Sequence, residues 1–181
     1  MSTPDVDFWS RVDIGGVPVS VGVWVYLVAT PASDACILSK WVVPDREYLF
    51  LVQGATRRIR FYTMDESVAI IINRYADADF SLNSWHFVVV TYDGAGGATA
   101  MNTVTQYIDG VAVASTATNN ALYVAMENLA GLTVLGAQGT TTAFYTGKLA
   151  GGPFGPFFAQ AELTAAQVAN LYALERLGLG V

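Results

Sequence analysis

Trp85-His86-Phe87-Val88-Val89-Val90-Thr91-Tyr92-Asp93-Gly94 is answered farther along the chain by Tyr107-Ile108-Asp109-Gly110-Val111. Each segment is a run of β-branched and aromatic residues stopped by Asp-Gly, the composition of a buried strand that ends in a tight turn. Thr105-Gln106-Tyr107-Ile108 and Val111-Ala112-Val113-Ala114 flank Asp109-Gly110 at the spacing of a two-residue hairpin. Trp85 and Tyr92 lie in a strand whose alternation buries one face, so both are expected to pack in the core. Asp93 and Asp109 are expected to hydrogen-bond their own turns.

Working outward, Val19, Val21, Val23 and Val25 alternate on one strand face, with Trp24 on the other, and Pro31-Ala32-Ser33-Asp34 follows as a loop. Further strands are expected at Ile37 to Trp41, Tyr48 to Val52 (apolar throughout, hence central), Arg57 to Thr63, Val68 to Ile72, Leu132 to Ala137 and within Gly147 to Phe158. Pro44-Asp45 reads as a turn, and Gly94 to Thr99 as a loop. Only the end reads as helix. Thr164-Ala165-Ala166-Gln167 is a capping box, Leu163 and Val168 form the matching staple, and Val168, Leu171 and Tyr172 make an apolar stripe with Gly178 as the stop. Many short strands and one late helix predict an all-β, two-sheet antiparallel β-sandwich or jelly roll with one short C-terminal helix, in a single domain over residues 1–181.

The bulk properties narrow the function. Of 181 residues, 53% are hydrophobic and only 13% charged, against roughly 25% charged in an average soluble chain. So little charge leaves apolar surface to be buried against other subunits. The net charge of −6 argues against a nucleic-acid partner. The most apolar segment, Val17 to Thr30, is broken by Pro18 and Gly22 and is too short for a membrane span. Cys36 is the single cysteine, which excludes an intramolecular disulfide and a cysteine zinc site. Met1 to Asp7 lacks the basic and apolar regions of a secretory signal, so no classical export route is expected.

The order Trp24-Val25-Tyr26, Ile37-Leu38-Ser39-Lys40, Trp85 to Gly94, Tyr107-Ile108-Asp109-Gly110 resembles the concanavalin A-like lectin/glucanase superfamily, and within it the laminin G-like branch. Phe144, Gly147-Lys148-Leu149-Ala150, Leu163 to Val168 and Leu171-Tyr172 are similar to that branch's final strand and helix. The resemblance implies a jelly roll with one curved, concave face. Glucan-cleaving members carry a Glu-x-Asp-x-Glu strand whose carboxylates act as nucleophile and acid/base. That pattern is absent: no two of Glu47, Glu66, Glu127, Glu162 and Glu175 stand two residues apart. No catalytic residue is assigned, and the chain is not expected to be an enzyme.

Arg58, Arg60 and Tyr62 alternate with Ile59 and Phe61. Two guanidiniums and a phenol on one strand face suit a sugar or a carboxylated glycan, or the acids of a neighbouring subunit; a plain polar outer face is the bland alternative. Asp77 and Asp79 are calcium candidates weighed against a solvated acidic loop; no cofactor is otherwise expected. His86, the sole histidine, has no histidine or cysteine partner for zinc and reads as a surface or strand-edge residue.

The resemblance implies modules that act outside cells, yet no classical export is expected and a single cysteine allows no intramolecular disulfide. A protein released by lysis meets both conditions, and the run Leu149 to Phe158 is similar to laminin G-like domains of phage structural proteins. The expected role is therefore a virion-surface protein, a capsid decoration or fibre-associated domain. It is expected to be oligomeric (a trimer among the options), with capsid or other virion proteins as partners and host-surface glycan as a further ligand. The alternative is an extracellular carbohydrate-binding module of a secreted bacterial protein.

Overall fold

The computed structural model describes residues 1–3, 18–150 and 156–181. In chain order its strands are β1 (Ser2–Thr3), β2 (Val19–Tyr26), β3 (Ala35–Val42), β4 (Asp45–Val52), β5 (Ile59–Asp65), β6 (Ile70–Ala76) and β7 (Trp85–Tyr92). They continue as β8 (Thr105–Ile108), β9 (Val111–Ala112), β10 (Ser115–Thr118), β11 (Thr133–Leu135), β12 (Lys148–Ala150) and β13 (Phe157–Ala159), followed by helix α1 (Ala165–Leu179). One sheet runs β1-β11-β3-β4-β5-β6-β10; the other runs β12-β2-β7-β8-β9, with β13 also on β2. All pairings are antiparallel. The two-sheet sandwich with one late helix is thus the architecture expected from the sequence, and β4 is central in its sheet.

The decisive segment becomes β7, paired with β2 from Val19↔Tyr92 to Tyr26↔Trp85 without a break in register. Val19, Val21, Val23 and Val25 face Tyr48, Phe50, Ile59, Phe61 and Ile72 of the other sheet in the main core, joined by Val88, Val90 and Tyr92. The strand is buried on its second face too, whereas its alternation predicts burial of only one. Phe87 and Val89 join Trp24 and Tyr107 in a second core beneath Val168, Leu171 and Tyr172 of α1. Trp85 is only half-buried, at the start of the strand, with its ring against Tyr26. Tyr92 is core, as expected.

Helix α1 is started as its sequence dictates: Thr164 and Gln167 exchange the two capping-box bonds. It ends later than Gly178, because Leu179 still packs against the second core, and Gly180 adopts the left-handed conformation at φ 71°. Wholly buried Glu175 accepts the Trp24 indole N–H at 2.9 Å, fastening the helix to β2. Gly22 lets the Phe157 ring lie on β2, since a Cβ there would stand 2.3 Å from Phe157 Cε1. Two further expectations shift: Val68 and Ala69 form a turn with β6 starting at Ile70, and the chain after β9 crosses to the other sheet as β10. The expected strand within Gly147 to Phe158 is two strands, with residues 151–155 outside those described. Among the described residues no helix is long and apolar enough to cross a membrane.

A wholly buried ion pair secures the long connection before β11. Lys40 Nζ lies 2.6 Å from Glu47 Oε1; the ammonium also donates to the Leu129 carbonyl, and the carboxylate accepts the Leu129 N–H at 2.7 Å. Lys40→Met should cost about 3–5 kcal/mol by stranding Glu47. Adding Glu47→Leu should recover only part of it, because both Leu129 backbone groups lose partners worth about 1–3 kcal/mol each. Urea denaturation of the two single variants and the double variant measures this; full recovery would show that Leu129 is not held by the pair.

Cys36 is buried on the outer face of the seven-stranded sheet, with its N–H on the Ala143 carbonyl. Burial pushes its thiol up from 9.0 to about 12, with a smaller opposing contribution from Ser39 and a further upward one from Asp34. Ellman's reagent at about pH 8 should therefore leave the native thiol unreacted and titrate it only after denaturant is added. A thiol raised on folding contributes stability that is complete below about pH 9 and fades as pH rises toward 12. In alkaline melts, wild type should lose stability over that window by an amount that Cys36→Ala does not.

Candidate functional site

With α1 plating one outer face of the sandwich, the opposite outer face belongs to the seven-stranded sheet. Ile59 and Phe61 point into the core, so strand alternation turns Arg60 and Tyr62 outward on β5. Cross-strand register sets Arg60 beside Leu51 and Tyr75, and Tyr62 beside Leu49 and Asn73. Leu49, Leu51 and Cys36 form a small apolar floor, with Trp41, Tyr62 and Ala143 packed on it.

On that floor lies a row of rings around one cation. The Trp41 and Tyr62 centroids are 6.1 Å apart. The Arg60 Cζ sits 4.6 Å from the Tyr62 centroid and 5.6 Å from that of Tyr75. Its Nε donates to Asn73 Oδ1 at 3.0 Å. All four large side chains are half-buried, held in place yet accessible. Burial raises the Tyr62 phenol above its ordinary range, the Arg60 charge opposing and Asp34 adding to the shift. The phenol is therefore neutral at ordinary pH and available as a donor. The arrangement offers flat apolar faces for stacking and a planar cationic donor beside them.

Of the residues singled out in the sequence, Arg60 and Tyr62 are brought together and Arg58 is not. Arg58 precedes β5 and pairs with Asp79 at 3.3 Å, and Arg57 reaches the same carboxylate at 3.4 Å. Asp77 is separately engaged, accepting the Thr116 hydroxyl at 2.7 Å. Among the described residues there is no group of three or more histidine, cysteine or acidic side chains that could hold a metal. Trp41, Asn73 and Tyr75 were missed. Tyr75 lay past the expected end of its strand, although alternation from Ile71 would have found it.

His86 is set deeper than a free surface residue, its side chain 12% exposed. Nδ1 lies 2.7 Å from Asp109 Oδ2, and Nε2 lies 2.8 Å from Ser81 Oγ and 3.0 Å from Ser84 Oγ, with the ring against Phe80. Asp109 Oδ1 also accepts the Phe87 N–H, so this aspartate reaches over to β7 instead of bonding within its turn. The two serine hydroxyls bond each other as well as the ring, and the group staples residues 80–84 to the β8–β9 turn. Asp93 does serve its own turn, accepting the Ala95 N–H.

Four of the five glutamates are engaged with other groups. Asp45 and Glu47 stand two apart on β4, but a bulge interrupts the register there and Glu47 is buried on Lys40. Glu66 is held by Arg46, Glu127 by the Ser67 N–H, and Glu175 by Trp24.

A family model described as the concanavalin A-like lectin/glucanases superfamily (Laminin_G_3) matches residues 2–151. No curated protein matches the sequence. Among solved structures, domain 4 of AbnA, an extracellular arabinanase from Geobacillus stearothermophilus in complex with arabinotriose, is similar at TM-score 0.62 and 16% identity, over 94% of this chain and 72% of that one. The heptameric SAP-like pentraxin from Limulus polyphemus is similar at TM-score 0.58 and 12% identity, over 91% and 73%. The Ruminococcus gnavus sialidase module CBM40 bound to α2,3-sialyllactose is similar at 0.57 and 9%, over 87% and 82%. At these identities the likeness is one of fold. The matched span, the two antiparallel sheets and the late helix together place the chain in the concanavalin A-like lectin/glucanase superfamily, to which it belongs.

Proposed function

We propose that the chain is a single, non-catalytic recognition domain that holds a glycan on the outer face of the seven-stranded sheet. The observation that carries this reading is the row Trp41, Tyr62, Arg60 and Tyr75 on the sandwich face away from the helix. Stacking rings beside a fixed guanidinium suit a ligand that has both apolar ring faces and polar edges. Fold neighbours described with bound arabinotriose and sialyllactose support the choice of a sugar. The engagement of Glu47, Glu66, Glu127 and Glu175 elsewhere supports binding without hydrolysis.

A second observation favours a finer reading, attachment at a virion surface as an oligomer. Low overall charge is matched by large apolar side chains left in solvent, with Val43 72%, Leu122 69% and Leu177 74% exposed. Such side chains suit burial against further copies or a capsid. An extracellular module of a secreted bacterial protein is the competing setting for the same binding face. Light scattering of the purified chain and co-sedimentation with capsids separate the two: a trimer that sediments with particles supports the virion reading, and a monomer that binds sugar but no particle supports the module.

For the binding face itself, Tyr62→Ala and Trp41→Ala should each weaken binding to the best ligand on a glycan array about 10-fold or more. Arg58→Ala should leave affinity unchanged, since its guanidinium is committed to Asp79. Equal affinities across wild type, Tyr62→Ala and Trp41→Ala would remove the row from the binding site.

A further inference from the structure

Arg60 stands apart from the other described guanidinium groups of its sheet. Arg46 makes a two-pronged pair with Glu66, and Arg57 and Arg58 share Asp79. Arg74 donates to the Ser115 hydroxyl and to backbone carbonyls. Arg60 makes one protein hydrogen bond, from Nε to Asn73, and is paired with no carboxylate among the described residues.

Its position is nevertheless fixed. The Tyr62 and Tyr75 rings flank it, and the Asn73 bond sets its rotation. With Nε committed, the two terminal Nη groups remain as a parallel pair of donors without an acceptor among the described residues. A carboxylate matches such a pair with two parallel N–H···O bonds, and a lysine could not replace the fork. The flanking rings take the cation partly out of water, which raises the cost of leaving it without a counter-charge and strengthens its attraction for one.

We propose that Arg60 takes the carboxylate of an acidic sugar, a uronate or sialate residue, while Tyr62 and Trp41 hold the adjoining sugar by its apolar face. This rests on the glycan-binding reading and names the ligand class for that site. An array of neutral, carboxylated and sulfated glycans, followed by calorimetry on the full chain, tests it. Trigalacturonate is compared with its methyl ester, and sialyllactose with lactose.

At least one acid should bind about 10- to 100-fold tighter than its neutral counterpart, an advantage that weakens with salt. Arg60→Gln should erase that advantage, bringing the acid and its neutral partner to equal affinity, and Arg60→Lys should restore only part of it. Thermal melts of both variants establish that they fold. Equal affinity for acid and neutral partner overturns this inference but leaves the glycan reading standing. So does binding restricted to sulfated glycans. A change of oligomeric mass in Arg60→Gln would assign the missing anion to a second copy and also overturn it. Silence across the whole array overturns both readings.

Discussion

The unbroken antiparallel register between β2 and β7 is the constraint on which the rest of the molecule hangs. Both strands are apolar on both faces, so burying one face between the sheets leaves a second still to be covered. Cross-strand neighbours on each face pack as sets, and a slip of one residue would exchange the two sets. The valines of β2 go inward, Trp24 and Phe87 go outward, and only an added layer can take the outward set from water. Helix α1 is that layer, and the buried Trp24–Glu175 bond fixes where it lies. One side of the sandwich is thereby closed, and the proposed binding face lies on the other.

The scarcity of charge has its own structural logic. Several carboxylates are used to hold backbone N–H groups of connecting segments. Asp65 takes those of Val124 and Ala125, Glu47 that of Leu129 and Asp34 that of Gly54. A carboxylate with such donors is well satisfied when buried, and it ties irregular chain to a sheet that would otherwise carry it loosely. These acids are engaged in the connections, and on the outer sheet face Arg60 is paired with no carboxylate among the described residues.

How much of this could be read from sequence depends on how local each signal is. The β7 run, the Asp109-Gly110 hairpin and the Thr164–Gln167 capping box are local, and all three appear where expected. Burial of both faces of β7 was not readable from periodicity, because the covering helix arrives about eighty residues later and periodicity reports only one strand at a time. Arg60 and Tyr62 were legible from the alternation of β5. Trp41 was not: counting by twos from Ile37 sends it into the core. A bulge between Cys36 and Leu38 turns both Ile37 and Leu38 inward and reverses the count beyond them. Arg58 was misplaced for a related reason, since β5 begins only after it and an acid from another segment draws it aside.

Because α1 covers the six-stranded sheet, Leu179 and the residues after it emerge on the side of the sandwich opposite Arg60. A tag, a solid support or a fused polypeptide joined there would hold the domain by its back, with the ring-lined face turned to solution. The same attachment made through the β3–β4 turn, at Val43, would instead bring the tether up beside Trp41. The protein thus has a built-in front and rear, and the choice of anchoring point sets which of them an immobilised copy presents.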